Sequence, residues 1–148
     1  WMQLHDEYAA GTPVPAWVKF PTHWNRSGDG IRRPFARLPG SIAQNLVKQY
    51  GLKSKVKFGR GKDLAEYVPE TDTVILRRSY PTVKEFLLTI LHEIGHALDA
   101  KRLGVRKYIK KYTQAGTMAT YKGLDPHDDN KWEEKAERFA RRELSKWL

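Results

Sequence analysis

Apolar residues recur at helical spacing over three stretches of this chain. The longest runs from Thr82 to Gly104. At about 100° per residue, Val83, Leu87, Ile90, Leu91, Ile94, Ala97 and Leu98 share one arc, which predicts an amphipathic helix with a core face. His92, His96 and Asp99 lie on the opposite side with Leu88 and Leu103. Thr82 and Glu85 form a capping box at its start, and Lys101, Arg102 and Leu103 lead to a stop at Gly104. A shorter helix is predicted over 41–50, with Ile42, Leu46, Val47 and Tyr50 on its apolar side, Ser41 as N-cap and Gly51 as stop. A last one spans 131–147, where Trp132, Ala136, Phe139, Ala140, Leu144 and Trp147 make one stripe behind turn and cap residues 125–130. Between the first two helices, alternation over 55–59 and the runs 65–68 and 73–77, around a turn at 69–72, predict strands. Residues 105–112 form a basic helix in this scheme, followed by a Gly/Thr-rich loop through Gly123.

Residues 1–40 break every period with Pro13, Pro15, Pro21, Pro34 and Pro39. They are expected to form an irregular arm that packs Trp1, Trp17, Phe20, Trp24 and Phe35 onto the domain. Base stacking is the alternative, given Arg26, Arg32, Arg33 and Arg37. The organisation is therefore an N-terminal arm, 1–40, and one α+β domain, 41–148, with a small mixed sheet; 148 residues leave room for no more.

Composition narrows the chemistry. With no cysteine, disulfides, thiolate ligands and thiol catalysis are excluded. No apolar run reaches the length of a membrane span and no signal-peptide pattern opens the chain. The chain begins at Trp1, as a fragment of a longer polypeptide would, and its compartment stays open. A net charge of +10 favours an anionic partner, nucleic acid or acidic protein, and a monomer is expected. Lys101, Arg102, Arg106, Lys107, Lys110 and Lys111 follow one another with no acid between them, as do Lys53, Lys55, Lys57, Arg60 and Lys62.

The candidate chemistry sits in the long helix, at His92-Glu93-Ile94-Gly95-His96. Two histidines four apart fall one turn above the other, so both imidazoles reach a single metal ion. Glu93, about 100° further round, suits contact with water beside the metal. Zinc, Zn2+, is the natural ion for imidazole and carboxylate donors. Gly95 costs helix propensity, as expected where another backbone or a substrate must pass close. His5 and His23 lack ligand spacing. A third ligand must come from elsewhere, and Glu133 and Glu137 border the apolar stripe of the last helix, one turn apart. Helical geometry alone slightly favours Glu133, nearer the centre of the stripe; Glu134 points away and Glu143 lies near the helix end. The plainer alternative is an exposed charge ladder with Lys135, Arg138 and Arg141. Asp99, one turn beyond His96, is a candidate to orient an imidazole from the second shell.

His92-Glu93-x-x-His96, followed 41 residues after His96 by Ala136-Glu137-Arg138-Phe139-Ala140, resembles the gluzincin metallopeptidases. Within them it is most similar to zincin-like domains of the anthrax-lethal-factor type, found in phage and bacterial toxin polypeptides. The resemblance covers mainly residues 40–148. It implies an active-site helix and a C-terminal ligand helix, with Glu137 as third zinc ligand, Glu133 being the alternative. It also implies Glu93 as general base and an extended peptide or protein substrate along an edge strand. The oxyanion donor is expected from Tyr121 or His127, with Tyr112 also upstream; Arg141 stands where the family often has an acid. A metzincin pattern is excluded, because positions 99 and 102 are Asp99 and Arg102. The rival function is a basic nucleic-acid-binding or phage structural module with a structural or vestigial zinc site. Between the two lies a protease recruited to DNA, similar to SprT-like proteins, with His127 as third ligand.

Overall fold

A computed structural model describes residues 40–59, 65–77, 80 and 82–147. The expected N-terminal arm, apart from Gly40, lies outside the described residues, and with it both its packing and its stacking alternative. The described part is α+β, with four helices and a three-stranded sheet. In chain order the elements are α1 (Gly40–Gln49), β1 (Lys55–Phe58), β2 (Ala65–Val68), β3 (Thr73–Leu76), α2 (Val83–Leu103), α3 (Val105–Tyr121) and α4 (Lys131–Leu144).

The sheet order is β1-β3-β2. β3 is central, with Val74 and Leu76 buried; β1 runs parallel to it, from Lys55 opposite Thr73 to Phe58 opposite Leu76. β2 runs antiparallel, from Ala65 opposite Leu76 to Val68 opposite Thr73. A short 3-10 turn, Pro69–Thr71, joins β2 to β3, and Asp72 ends it in the left-handed region at φ 47. That conformation is tolerable because the Asp72 carboxylate accepts hydrogen bonds from Ser54 Oγ (2.6 Å) and Tyr67 Oη (2.8 Å). The expected turn at 69–72 is therefore present, and β2 is left as an edge strand among the described residues.

α2 is the axis of the fold. Thr82 Oγ1 accepts from the Glu85 backbone N at 3.1 Å, as the capping box requires, and Gly104 closes the other end. Its predicted core face is present: Val83, Leu87, Ile90, Leu91, Ile94 and Ala97 are all buried. The opposite side, however, is not a solvent face. Leu88, Thr89, Glu93, His96 and Asp99 are buried as well, because the sheet covers one side of α2 while α3 and α4 cover the others. The polar residues of that stripe are thus held inside the protein, where each needs a partner.

Two boundaries differ from the expectation. α3 continues through the expected Gly/Thr-rich loop to Tyr121. Packing outweighs the poor helix propensity of Gly116 and its threonine neighbours: Tyr108, Gly116 and Ala119 are buried. A Cβ on Gly116 would stand 3.3 Å from the Pro126 carbonyl, where the following loop crosses the helix. α4 ends at Leu144, short of Trp147, whose indole N–H donates to the Tyr50 hydroxyl at 2.8 Å and ties the C-terminal turn to α1.

At the start of α4, the fully buried Asn130 accepts from Trp132 N at 2.9 Å. Its amide donates to the carbonyls of Tyr112 (3.1 Å) and Pro126 (3.2 Å), which fixes the first turn of α4 against α3. At Gly95 the backbones of α2 and α4 pass close to one another. A Cβ there would lie 3.2 Å from Ala136 Cα and 3.2 Å from Phe139 Cδ1. Of the two reasons expected for this glycine, the passing backbone is the one realised.

Candidate metal centre

That close crossing lays the first turns of α4 over the histidines of α2. His92 and His96 lie one turn apart, their rings edge to face with centroids at 4.9 Å. Glu133 Oε1 lies 2.8 Å from His92 Nε2 and 2.9 Å from His96 Nε2. These three donors lie within 4.8 Å of one another, close enough to hold one metal ion. Glu133, not Glu137, is the carboxylate that the structure brings to both Nε2 atoms. Glu137 Oε2 is 3.0 Å from Nδ1 on the other side of the His92 ring, and its Oε1 accepts from Arg141 Nε at 3.1 Å. Arg141, which replaces the acid expected there, thus neutralises Glu137. The physical reason for the exchange is the position of the crossing. With α4 touching α2 at Ala136, the carboxylate of Glu133, three positions before Ala136, reaches over the ring edges, whereas Glu137 passes alongside His92.

Each of the three donors is oriented by a partner of its own. His92 has Glu137 at Nδ1, and His96 has the Tyr108 hydroxyl 2.7 Å from its Nδ1. Tyr112 donates to Glu133 Oε2. Such outer contacts fix the imidazole tautomer, leaving Nε2 as the lone-pair donor when Nδ1 carries the proton. Tyr108 and Tyr112 are four apart on α3, the same spacing as the two histidines on α2. That spacing is the signal by which Tyr108, absent from the sequence-based candidates, could have been found.

The electrostatics are those of a site built for positive charge. Burial opposes the charge of His92, but hydrogen bonds to Glu133 and Glu137 outweigh it and raise its pKa to about 10. Burial likewise works against the Glu133 carboxylate, yet hydrogen bonds from His92, His96 and Tyr112 hold it well below the ordinary range. Glu137 is lowered by its hydrogen bond to His92. Both nitrogens of His92 face carboxylate oxygens, an arrangement satisfied by an imidazolium or by a neutral ring with a cation at Nε2. The donor chemistry, two imidazole nitrogens and one carboxylate oxygen, suits a divalent transition metal.

Compared with protein-family models, curated proteins and solved structures, the chain matches none. Its chemistry is therefore argued from the residues themselves.

Glu93 lies on the wall of a cleft of about 510 Å³ that opens over the two histidines. It is 7% exposed, and burial pushes its carboxyl upward despite the neighbouring imidazoles. β2 and the turn after it border the cleft through Ala65, Glu66, Tyr67, Pro69 and Glu70; α3 borders it through Tyr108, Ile109, Tyr112 and Thr113. Among the described residues that line the cleft none is a lysine or arginine, so the basic stretch from Lys101 to Lys111 does not line it.

The remaining candidates separate. His127 reaches the cleft rim, its Nε2 3.5 Å from Glu133 Oε2 and its Nδ1 3.1 Å from Asp128 Oδ1. It stands outside the metal-holding group, contrary to the third-ligand alternative. Tyr121 does not reach the site: it is 90% exposed, near the end of α3, and borders a separate shallow groove. Asp99 does not touch an imidazole either. Its Oδ1 accepts from Lys135 Nζ at 2.6 Å and Arg102 Nη2 at 3.2 Å, so it pins α4 to α2. Lys135, two residues after Glu133 on α4, holds this carboxylate away from the histidines. Glu134 is exposed, and Glu143 pairs with Lys146 at 2.9 Å.

Proposed function

We propose that this chain is a zinc-dependent peptidase with a zincin-like arrangement, and that His92, His96 and Glu133 hold the metal. The observation that carries the proposal is the convergence of those three donor atoms in a cleft that also contains the buried carboxylate of Glu93. A structural site does not need that fourth group. An edge strand beside the cleft supports a peptide as substrate, because its outward N–H and C=O groups can pair with an extended backbone.

When bound, zinc acts as a Lewis acid that polarises a carbonyl and acidifies water. The chain's own groups do the rest. Glu93 accepts a proton from the water whose oxygen attacks the peptide carbonyl carbon, and delivers it to the amide nitrogen as the C–N bond breaks. Burial raises its carboxyl above the ordinary carboxylate range, which favours uptake of that proton. At the cleft rim, His127, and Tyr112 once its hydroxyl turns from Glu133, are the donors for a developing oxyanion. Burial, then the hydrogen bond to Glu133, keep the Tyr112 hydroxyl protonated far above neutral pH. Glu137 and Tyr108 position the two histidines, and Arg141 holds Glu137.

The test is cleavage of a mixed peptide library by the zinc-loaded chain, read by mass spectrometry. New termini that vanish with a chelator and return with added zinc are expected. An intact library with one zinc bound would remove the peptidase reading and leave a structural metal site. Gly95 offers a second check. Gly95→Ala adds a methyl against Ala136, a cost of about 1–3 kcal/mol that a helix gain of about 1 kcal/mol partly offsets. Thermal unfolding should therefore shift by a few degrees at most. Zinc affinity, which depends on where α4 holds Glu133, should fall by about 10-fold or more, as when an outer-shell contact is lost. Unchanged affinity in a chelator competition would mean that α4 adjusts without moving its carboxylate.

A further inference from the structure

α3 carries a further concavity, on a stripe other than the one that closes the cleft. Lys111, Ala115, Met118 and Lys122 follow one another at intervals of four, three and four along the helix. Leu124, Asp129 and Lys131 form the facing wall of a groove of about 330 Å³. Met118 is 56% exposed and Leu124 50%, which leaves large apolar side chains in water side by side. Leu124 is firmly held. Gly123 takes the left-handed conformation at φ 77, and the chain returns so that Leu124 N donates to the Ala119 carbonyl at 2.8 Å. Lys111, Lys122 and Lys131 form no ion pair among the described residues. The one acid in the groove, Asp129, has its Oδ2 engaged by the Asp125 backbone N at 2.8 Å.

An apolar floor between ammonium groups selects an occupant that is anionic at its ends and aliphatic in the middle. Nucleic acid fits less well, since the groove offers no aromatic ring for stacking and no arginine for bidentate phosphate contacts. A second copy of this chain, at +10, is repelled by the lysines. We propose that this groove docks an acidic peptide segment with an aliphatic side chain between its carboxylates. Lys111 and Lys122 are separated by about 16 Å along α3, at ~1.5 Å per residue. An extended segment of about five residues bridges that length. The docking site lies outside the cleft and does not depend on the peptidase reading.

Fluorescence anisotropy of the full chain with labelled Glu-Asp-Ser-Leu-Asp-Glu, and with the same peptide carrying Ser for Leu, tests the proposal. The leucine peptide should bind about 10-fold tighter than its serine counterpart, from partial burial of one aliphatic side chain. Lys111→Glu combined with Lys122→Glu should weaken both peptides by about 10-fold or more, with the loss growing at low salt. Met118→Ser should erase the preference for leucine. Binding should be the same with a chelator present, which separates this result from that of the metal site. Equal binding of the two peptides, or binding indifferent to these substitutions, overturns the proposal. So does an oligothymidylate that binds more tightly and ignores Met118→Ser, which would assign the groove to nucleic acid.

Discussion

Glu93→Gln is expected to lower peptide cleavage by about 10²–10⁴-fold, the range that a positioned general base contributes, while one zinc stays bound. Glutamine keeps the size of the side chain and removes only its ability to take a proton. The carboxylate makes no contact that α2 needs for folding: its neighbours are the two imidazoles and the cleft itself. Neutralising a buried acid also removes a desolvation cost, so the variant should be at least as stable as the parent. The decisive comparison is the rate of the zinc-loaded variant against the zinc-loaded parent, with metal content measured on both samples. A full rate in the variant would mean that another group takes the proton. The mechanism given for Glu93 would then be wrong, even with the metal site intact.

The second large effect separates the two glutamates of α4. Glu133→Ala removes an oxygen that faces both Nε2 atoms, at 2.8 and 2.9 Å. Zinc should no longer bind stoichiometrically, and the affinity loss should exceed the ~10–100-fold expected when an outer-shell partner is removed. Glu137→Ala removes only the acceptor at His92 Nδ1, so its loss should fall within that outer-shell range and zinc should still fill the site at saturating metal. Elemental analysis and a chelator competition on parent, Glu133→Ala and Glu137→Ala give the order directly. The opposite order, with metal lost only in Glu137→Ala, would mean that α4 turns to present Glu137 when zinc is bound. The glutamate implied by the family resemblance would then be the ligand. Tyr112 provides an internal control, because its hydroxyl donates to Glu133 and should affect zinc affinity only while Glu133 is present.

Much of this was legible in the sequence because it is local. A helix over 83–103 follows from apolar spacing, a capping box and a closing glycine, all of which act within a few residues. The same spacing places His92 and His96 on one face and Glu93 beside them, since the geometry of an α-helix is the same wherever it forms. The strands, the turn with Asp72 and the Asn130 cap are legible for the same reason. The length of α3 was not. Gly116 and the threonines around it argue for a loop, and only the crossing of Pro126 and the burial of Ala119 make helix the better state.

The identity of the third carboxylate is the clearest case of what local pattern leaves open. Glu133 and Glu137 lie one turn apart beside the same stripe, so either could face α2. Gly95 lets α4 come down onto Ala136 and Phe139, and that crossing places Glu133 at the two Nε2 atoms and Glu137 at the back of His92. Asp99 and Tyr121 follow the same rule. Lys135 from α4 claims the aspartate, and the direction of α3 carries Tyr121 out to solvent. Tyr108 and Tyr112 reach the site only because α3 folds back beside α2. Periodicity and capping determined by themselves that one helix carries two histidines and a glutamate in metal-site register. Which groups complete the site depends on how helices distant in sequence cross, and that is decided by packing at positions such as Gly95 and Ala136, which no pattern within one helix encodes.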